Sequence, residues 1–210
     1  MSAPHRRLLL SVALGLAAAG ASLPARATEA PIEVAGVRYE PTLSLGGQAL
    51  RLNGAGIRYR AVFKVYTAGL YVGTKADTAE AVLAQPGPKR IHVVMLRDID
   101  ANDLGRLFTK GMQDNATREE FAKSLPGTMK VGAVFSAKRR LAPGESFSVD
   151  WLPGTGAVVR VNGKPMGEVI PEPEFYTSLL RIWLGRSPAD ALLKEALLGK
   201  PVQRPGSAEN

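Results

Sequence analysis

Few residues in this chain have the type and setting to do chemistry. Arg58 ends the run Leu52-Asn53-Gly54-Ala55-Gly56-Ile57-Arg58, which leads into Phe63-Lys64-Val65-Tyr66-Thr67-Ala68-Gly69-Leu70-Tyr71. The two runs read as strands meeting a small-residue turn. One guanidinium, a rigid fork of five donors, stands at the joint, and the rest of the chain must place something against it. Other candidates are weaker. The chain has no cysteine, which rules out disulfides, thiolate catalysis and thiolate-bound metals. His92 stands alone in an alternating, strand-like stretch. The other histidine, His5, falls in the expected leader over residues 1–27, so one imidazole remains. It does not make a two-histidine metal site, and no Gly-x-Ser-x-Gly elbow accompanies it, so it reads as a structural or surface residue. Asp98, Asp100 and Asp103 read as helix caps and solvent-facing helix residues rather than metal ligands. Lys64 reads as a solvated strand residue, and Lys138-Arg139-Arg140, with Lys130 nearby, as a solvated face. Nothing calls for a cofactor.

The elements that position these residues begin after a leader. Arg6 and Arg7 precede an apolar stretch from Leu8 to Ala19, and Ala25-Arg26-Ala27 supplies an A-x-A cleavage signal. This is the pattern of a secretory signal peptide over residues 1–27. The apolar stretch is short of the about 20 residues a bilayer span needs, so no stable membrane span is expected after cleavage. The expected location is periplasmic or secreted. Loss of the leader leaves 183 residues, with 24 basic against 19 acidic side chains, a net +5 instead of +8. No nucleic-acid module is visible in this scattered charge. Residues 28–200 are long enough for one domain with its own core, and residues 201–210 read as a disordered tail.

Within the domain, residues 32–39 read as a first strand ended by Pro41, and residues 43–47 as a turn. Residues 49–53 lead into a break at Gly54-Ala55-Gly56. From Ile57 the apolar pattern alternates, and the run 62–72 has no purely polar face, as expected of a central strand covered on both sides. A short helix is predicted over 77–84 and a strand over 90–96. Asp98 or Asp100 then caps an amphipathic helix carrying Leu104, Leu107, Phe108, Gly111 and Met112. Thr117-Arg118-Glu119-Glu120 is a capping box opening another helix, which Pro126-Gly127 should break or kink. Strands over 146–151 and 157–161 follow. Asn162-Gly163 is the strongest hairpin signal in the chain. A helix over 172–184 ends at Gly185. Ser187-Pro188 reads as the N-cap and N1 of a last helix, which Gly199 ends. Trp151 and Trp183 read as core anchors. The order of elements fits an α+β fold, an antiparallel sheet with helices gathered on one face.

Asn53-Gly54-Ala55-Gly56-Ile57-Arg58, Lys64-Val65-Tyr66 and Gly69-Leu70-Tyr71, taken with Pro153-Gly154-Thr155-Gly156, Val161-Asn162-Gly163-Lys164 and Ile182-Trp183-Leu184-Gly185 before Ser187-Pro188, resemble the chalcone isomerase superfamily, in particular its exported bacterial members. The ordered set spans residues 32–199. The resemblance implies an open-faced β-sandwich, a long antiparallel sheet covered on one face by helices, with a ligand cleft between the layers.

The plant enzymes of that superfamily close a chalcone to a flavanone with an arginine, a strand threonine, a helix tyrosine and asparagine, and a late threonine or serine. Arg58 matches the arginine. Tyr66 falls at the strand threonine, with Thr67 beside it facing the other way. Leu104 falls at the tyrosine and has no hydroxyl. Asn115 is the asparagine near the family position, and Thr177 lies near the last hydroxyl. Most of the groups that would polarise a ketone are unmatched. Arg58 and Tyr66 match instead the pair with which non-catalytic members hold a fatty-acid carboxylate, where an arginine fork and a phenol together supply three donors. The resemblance therefore implies a non-catalytic binder of a small amphipathic carboxylate. The alternatives are an isomerase using Arg58, Tyr66 and Asn115, and an interaction protein whose cleft is filled.

Overall fold

The computed structural model describes residues 29–202. The leader expected over 1–27, and residues 203–210 of the expected tail, lie outside the described residues. In chain order the elements are β1 (Ile32–Val34), β2 (Val37–Tyr39), β3 (Thr42–Leu45), β4 (Gln48–Arg60), β5 (Phe63–Val72), α1 (Ala79–Ala84), β6 (Lys89–Met95), β7 (Ile99–Asp100), α2 (Ala101–Asp114), α3 (Arg118–Lys138), β8 (Arg140–Leu141), β9 (Ser146–Leu152), β10 (Gly156–Val161), β11 (Lys164–Pro165), α4 (Pro173–Leu184) and α5 (Ala191–Leu197). Seven strands form one sheet in the order β11-β10-β9-β6-β5-β4-β3, every pair antiparallel.

Alternation along the strands decides what each face of the sheet meets. On one face Tyr66, Ala68, Leu70, Ile91, Val93, Met95, Phe147 and Val149 are buried in one cluster with helix residues, among them Leu104, Phe108, Met112, Phe135 and Trp183. Phe108 meets Phe135, Phe147 and Trp183 edge-on, each at 5.5 Å between ring centres, a geometry aromatic quadrupoles favour. On the other face a smaller cluster of Tyr39, Leu45, Leu50, Leu52 and Tyr71 lies beneath the β1–β2 ribbon. Strand β5 is buried at every position from Val65 to Val72, as its pattern predicts.

Several local expectations change. Residues 32–39 are not one strand but the β1–β2 hairpin. Ala35 and Gly36 both have positive φ, the signature of a two-residue turn that follows the twist of its strands. Residues 42–45 are strand β3, and only Gly46-Gly47 turns. The Gly54-Ala55-Gly56 segment is no break: it lies inside the thirteen-residue β4, with a bulge between Leu52 and Gly54. The chain reverses instead at Ala61-Val62, so Val62 belongs to the turn and β5 begins at Phe63. Helix α3 opens with the predicted Thr117–Glu120 capping box but runs through Pro126 to Lys138. Proline removes one amide there, but tertiary packing outweighs that local loss. A Cβ on the next residue, Gly127, would lie 2.5 Å from the Phe175 ring, so the glycine lets α3 press against α4. Ser187 does not cap the last helix. Asp190 does, accepting from the Leu193 amide at 3.1 Å. Trp183 is fully buried, but Trp151 is only partly so.

Candidate functional site

The site is built on β4. Gly54, Gly56 and Arg58 oppose Leu70, Ala68 and Tyr66 on β5 and share the helix-facing side of the sheet. The two glycines serve close approach. A Cβ on Gly54 would collide with the Ala196 carbonyl oxygen, and one on Gly56 would lie 2.6 Å from Ala196 Cβ. Helix α5 therefore lies directly on the bare strand. Asn53, at the bulge, fixes the end of that helix: its Nδ2 donates to the Leu197 carbonyl at 2.7 Å and to the Ala76 carbonyl at 2.9 Å, while its Oδ1 accepts from the Ala76 amide. Arg58 follows the two glycines on this face, near the start of α5, and carries a long side chain.

Register places Arg58 directly across from Tyr66. The guanidinium carbon lies 5.5 Å from the centre of the Tyr66 ring, within cation–π range. The Arg58 Nε is buried and has no hydrogen-bond partner. Tyr66 is 1% exposed, and its Oη accepts from Trp183 Nε1 at 2.9 Å. That bond holds the oxygen as acceptor and leaves the phenol's own proton to donate. Burial first, with the Asp190 carboxylate adding to it, pushes the Tyr66 hydroxyl up to about 12 against the opposing pull of Arg58 and Trp183. At neutral pH it is a donor. Asp190 itself is held by the Tyr59 amide at 2.9 Å and the Leu193 amide at 3.1 Å.

Above this pair is a cavity of about 160 Å³. Arg58 and Tyr66 are among its lining residues. Leu104, Leu107, Phe108 and Gly111 of α2 contribute a largely apolar wall, with Lys110 and Asp114 beside them; those two form an i, i+4 ion pair at 2.9 Å. Ile182 of α4 and the loop Ser187-Pro188-Ala189 complete the lining. Asp100 starts α2 by accepting from the Asn102 and Asp103 amides. Its neighbours pair elsewhere, Asp98 with Arg140 and Asp103 with Arg106. Among the described residues no cluster of His, Cys, Asp or Glu could hold a metal ion.

The structure thus brings Arg58 and Tyr66 together and leaves Asn115 outside their cavity. The Asn115 amide donates to the Gly111 and Ser187 carbonyls, each at 2.8 Å, and accepts from the Ser187 amide at 2.7 Å. It fixes the loop that forms one wall. Leu104 does line the cavity, as an apolar group. Thr67 faces the opposite side of the sheet, where its hydroxyl accepts from Tyr39 Oη at 2.7 Å. Thr177 lies near Trp151 and Lys89 in a separate recess. Sequence reasoning missed Lys110, Asp114, the 187–189 loop and the role of Trp183. Only Asp190, three residues before Leu193, left a local signal, that of an N-cap.

The opposite face of the sheet holds a second charged group. Asp150, fully buried, accepts from Arg90 Nε and Nη2, each at 2.6 Å, from Arg160 Nε at 2.9 Å and from the Ser148 hydroxyl at 3.2 Å. His92 lies close by, edge-on to Tyr39 with ring centres 6.2 Å apart. Burial, reinforced by Arg90, pulls its imidazole down to about 4. Among the described residues no helix is long and apolar enough to cross a membrane.

The fold is similar to that of a fatty-acid binding protein of Arabidopsis thaliana. The TM-score is 0.60 at 13% identity, over 78% of this chain and 92% of that one, a likeness of fold. No curated protein matches the chain in sequence. A family profile described as chalcone isomerase-like matches residues 31–199, a span that takes in every strand and helix from β1 to α5. The chain belongs to the chalcone isomerase-like family.

Proposed function

We propose that this protein is a non-catalytic binder of a small amphipathic carboxylate, of the fatty-acid type, with Arg58 as the anion anchor and Tyr66 as its second donor. One observation carries the reading: a buried guanidinium Nε with no partner, beside a cavity walled mainly by Leu104, Leu107, Phe108 and Ile182. A donor left unpaired inside a protein is costly, and a carboxylate would satisfy it bidentately. The name of the Arabidopsis neighbour, a fatty-acid binding protein, agrees in ligand class. A cavity beside Arg58 also counts against the alternative of a filled cleft. The isomerase reading is weakened by Leu104, which brings no hydroxyl, and by Asn115, whose amide is held by Ser187.

A cavity of about 160 Å³ is of the size that takes a benzene-sized group, about six heavy atoms. It would enclose the carboxylate and first carbons of a fatty acid. The remaining chain would extend past Leu107, which is 43% exposed. Calorimetry with octanoate and hexadecanoate, paired with native mass spectrometry of gently extracted protein, tests the reading. Saturable binding that weakens in Arg58→Ala is expected; no binding of either acid, or equal binding by the variant, overturns it. Export to the periplasm, resting on Arg6, Arg7, the apolar stretch and Ala25-Arg26-Ala27, is part of the same proposal. A mature protein that retains its first 27 residues would refute that part alone.

A further inference from the structure

The β4–β5 hairpin ends in a tip unlike the rest of the surface. Val62 is 78% exposed and Phe63 is 56% exposed, so two sizeable apolar side chains stand side by side in water at a turn. Arg60 pairs across the hairpin with Phe63, and Tyr59 with Lys64. Arg97, from the loop after β6, stacks on the Phe63 ring with its guanidinium carbon 4.7 Å from the ring centre. Arg60, Lys64 and Arg97 are all exposed. No acidic residue occurs between Arg58 and Lys64. Asp98, which follows Arg97, pairs with Arg140; Asp100 accepts from the first amides of α2; and Asp190 accepts from the Tyr59 and Leu193 amides.

We propose that this tip is a contact site for an anionic phospholipid surface, with Val62 and Phe63 entering the headgroup region and Arg60, Lys64 and Arg97 lying against lipid phosphates. The pattern of an apolar point ringed by cations matches the two attractions that hold proteins at such an interface: burial of apolar side chains and the field of anionic lipid. A convex two-residue tip offers little area to a protein partner, whose stable interfaces bury far more, and its uncompensated positive charge complements a negative surface. The cavity lies at the same end of the same hairpin. Arg58 is two residues from Arg60, and Tyr66 is three from Phe63, so a bilayer met by the tip would also lie near the carboxylate anchor. The contact uses residues other than those of the ligand site and does not depend on it.

The test is sedimentation of the protein with vesicles of phosphatidylglycerol and phosphatidylcholine, or of phosphatidylcholine alone, at low and at physiological salt. Binding to the anionic vesicles that weakens with salt is expected. The double variant Val62→Ser/Phe63→Ser should bind several-fold more weakly. Arg60→Gln and Lys64→Gln should each cost about fivefold, the effect expected of one cation near an anionic surface. A Phe63→Trp variant should shift its emission to the blue on the vesicles. The Val62→Ser/Phe63→Ser variant should keep its affinity for octanoate while losing the vesicles, which separates the two proposals. Because the tip residues are exposed, unaltered thermal unfolding of each variant shows that folding is not the cause. Absence of binding to anionic vesicles at low salt overturns the proposal. So does an equal loss in Lys164→Gln, which removes one charge from the edge strand β11, four strands away from β5 in the sheet, and would reveal a general charge effect.

Discussion

Two arginine sites lie on opposite faces of one sheet, and what matters between them is how completely their polar groups are paired. On the outer face Asp150 is fully buried, but every charge around it is answered: two arginines and a serine hydroxyl donate to its two oxygens. On the helix face Arg58 is also partly buried, beside a phenol whose oxygen is taken by Trp183, and its Nε has no partner. A satisfied network of this kind ties β6, β9 and β10 together. An unsatisfied donor beside a cavity contributes nothing comparable to stability and is available to a ligand. Burial of charge is common to both sites; completeness of pairing separates the structural one from the candidate functional one.

The comparison can be broken at either site. The largest effect is expected from Asp150→Ala. Removing one member of a buried ionic group strands the others, at about 3–5 kcal/mol. Urea unfolding should show that loss, and the folded fraction should keep its affinity for a carboxylate ligand. A loss below about 1 kcal/mol would mean the network is dispensable and the contrast is empty.

A second, similar effect lies in the pH dependence of the outer face. His92 titrates near 4 in the folded protein against an ordinary 6.5. Between those values the unfolded chain binds the proton more readily, so stability is full above about pH 6.5 and falls as pH drops towards 4, by about 3 kcal/mol at the limit. The folded-state carboxyls of Glu120 and Glu145, lowered to about 2 mainly by hydrogen bonds, add their own loss below about 4.5. Urea midpoints measured between pH 7 and pH 4.5 in wild type and His92→Gln separate the two windows. A slope unchanged by the substitution would contradict the assignment.

At the helix-face site, Arg58→Ala is expected to reverse the balance seen at Asp150: roughly 10- to 100-fold weaker binding of octanoate, from about 1.5–3 kcal/mol of charged hydrogen bonding, with little change in unfolding free energy. A large destabilisation without loss of affinity would make Arg58 structural. The smallest effect is expected from Tyr66→Phe. It removes the acceptor of Trp183 Nε1, worth about 1 kcal/mol net, and one donor to the ligand. Thermal unfolding and calorimetry on the same sample show whether both changes occur.

Much of this was legible in the sequence where the signal is local. The Thr117–Glu120 capping box, the Asn162-Gly163 turn, the i, i+4 stripe of α2 and the doubly covered β5 all follow from short-range rules. The signals that misled have physical causes too. Gly54-Ala55-Gly56 reads as a break because glycine usually punctuates; here its missing side chains make room for α5, which arrives 140 residues later in the chain. Pro126 reads as a stop because it lacks an amide; packing at Gly127 keeps the helix going. Ser187-Pro188 resembles a cap, but the Asp190 carboxylate is the one that reaches the first turn of α5. At the site, Arg58 and Tyr66 were visible as residue types on neighbouring strands. Lys110, Asp114 and the 187–189 loop were not, because nothing in the spacing of those segments says which end of the sheet they will cover.

Periods, turns and caps were set by the order of residues, and so was the chemistry on offer: the Arg58 guanidinium and the Tyr66 phenol, no thiol, and, past the expected leader, the single imidazole of His92. These are properties of residues and near neighbours, which short-range sterics and hydrogen bonding settle. Only the tertiary structure decided that Arg58 and Tyr66 stand opposite each other, that Trp183 takes the phenol oxygen, that Asn115 is tied to Ser187, and that the Arg58 Nε is left over. Those facts depend on strand register and on how distant helices seat against the sheet, and no local pattern encodes either.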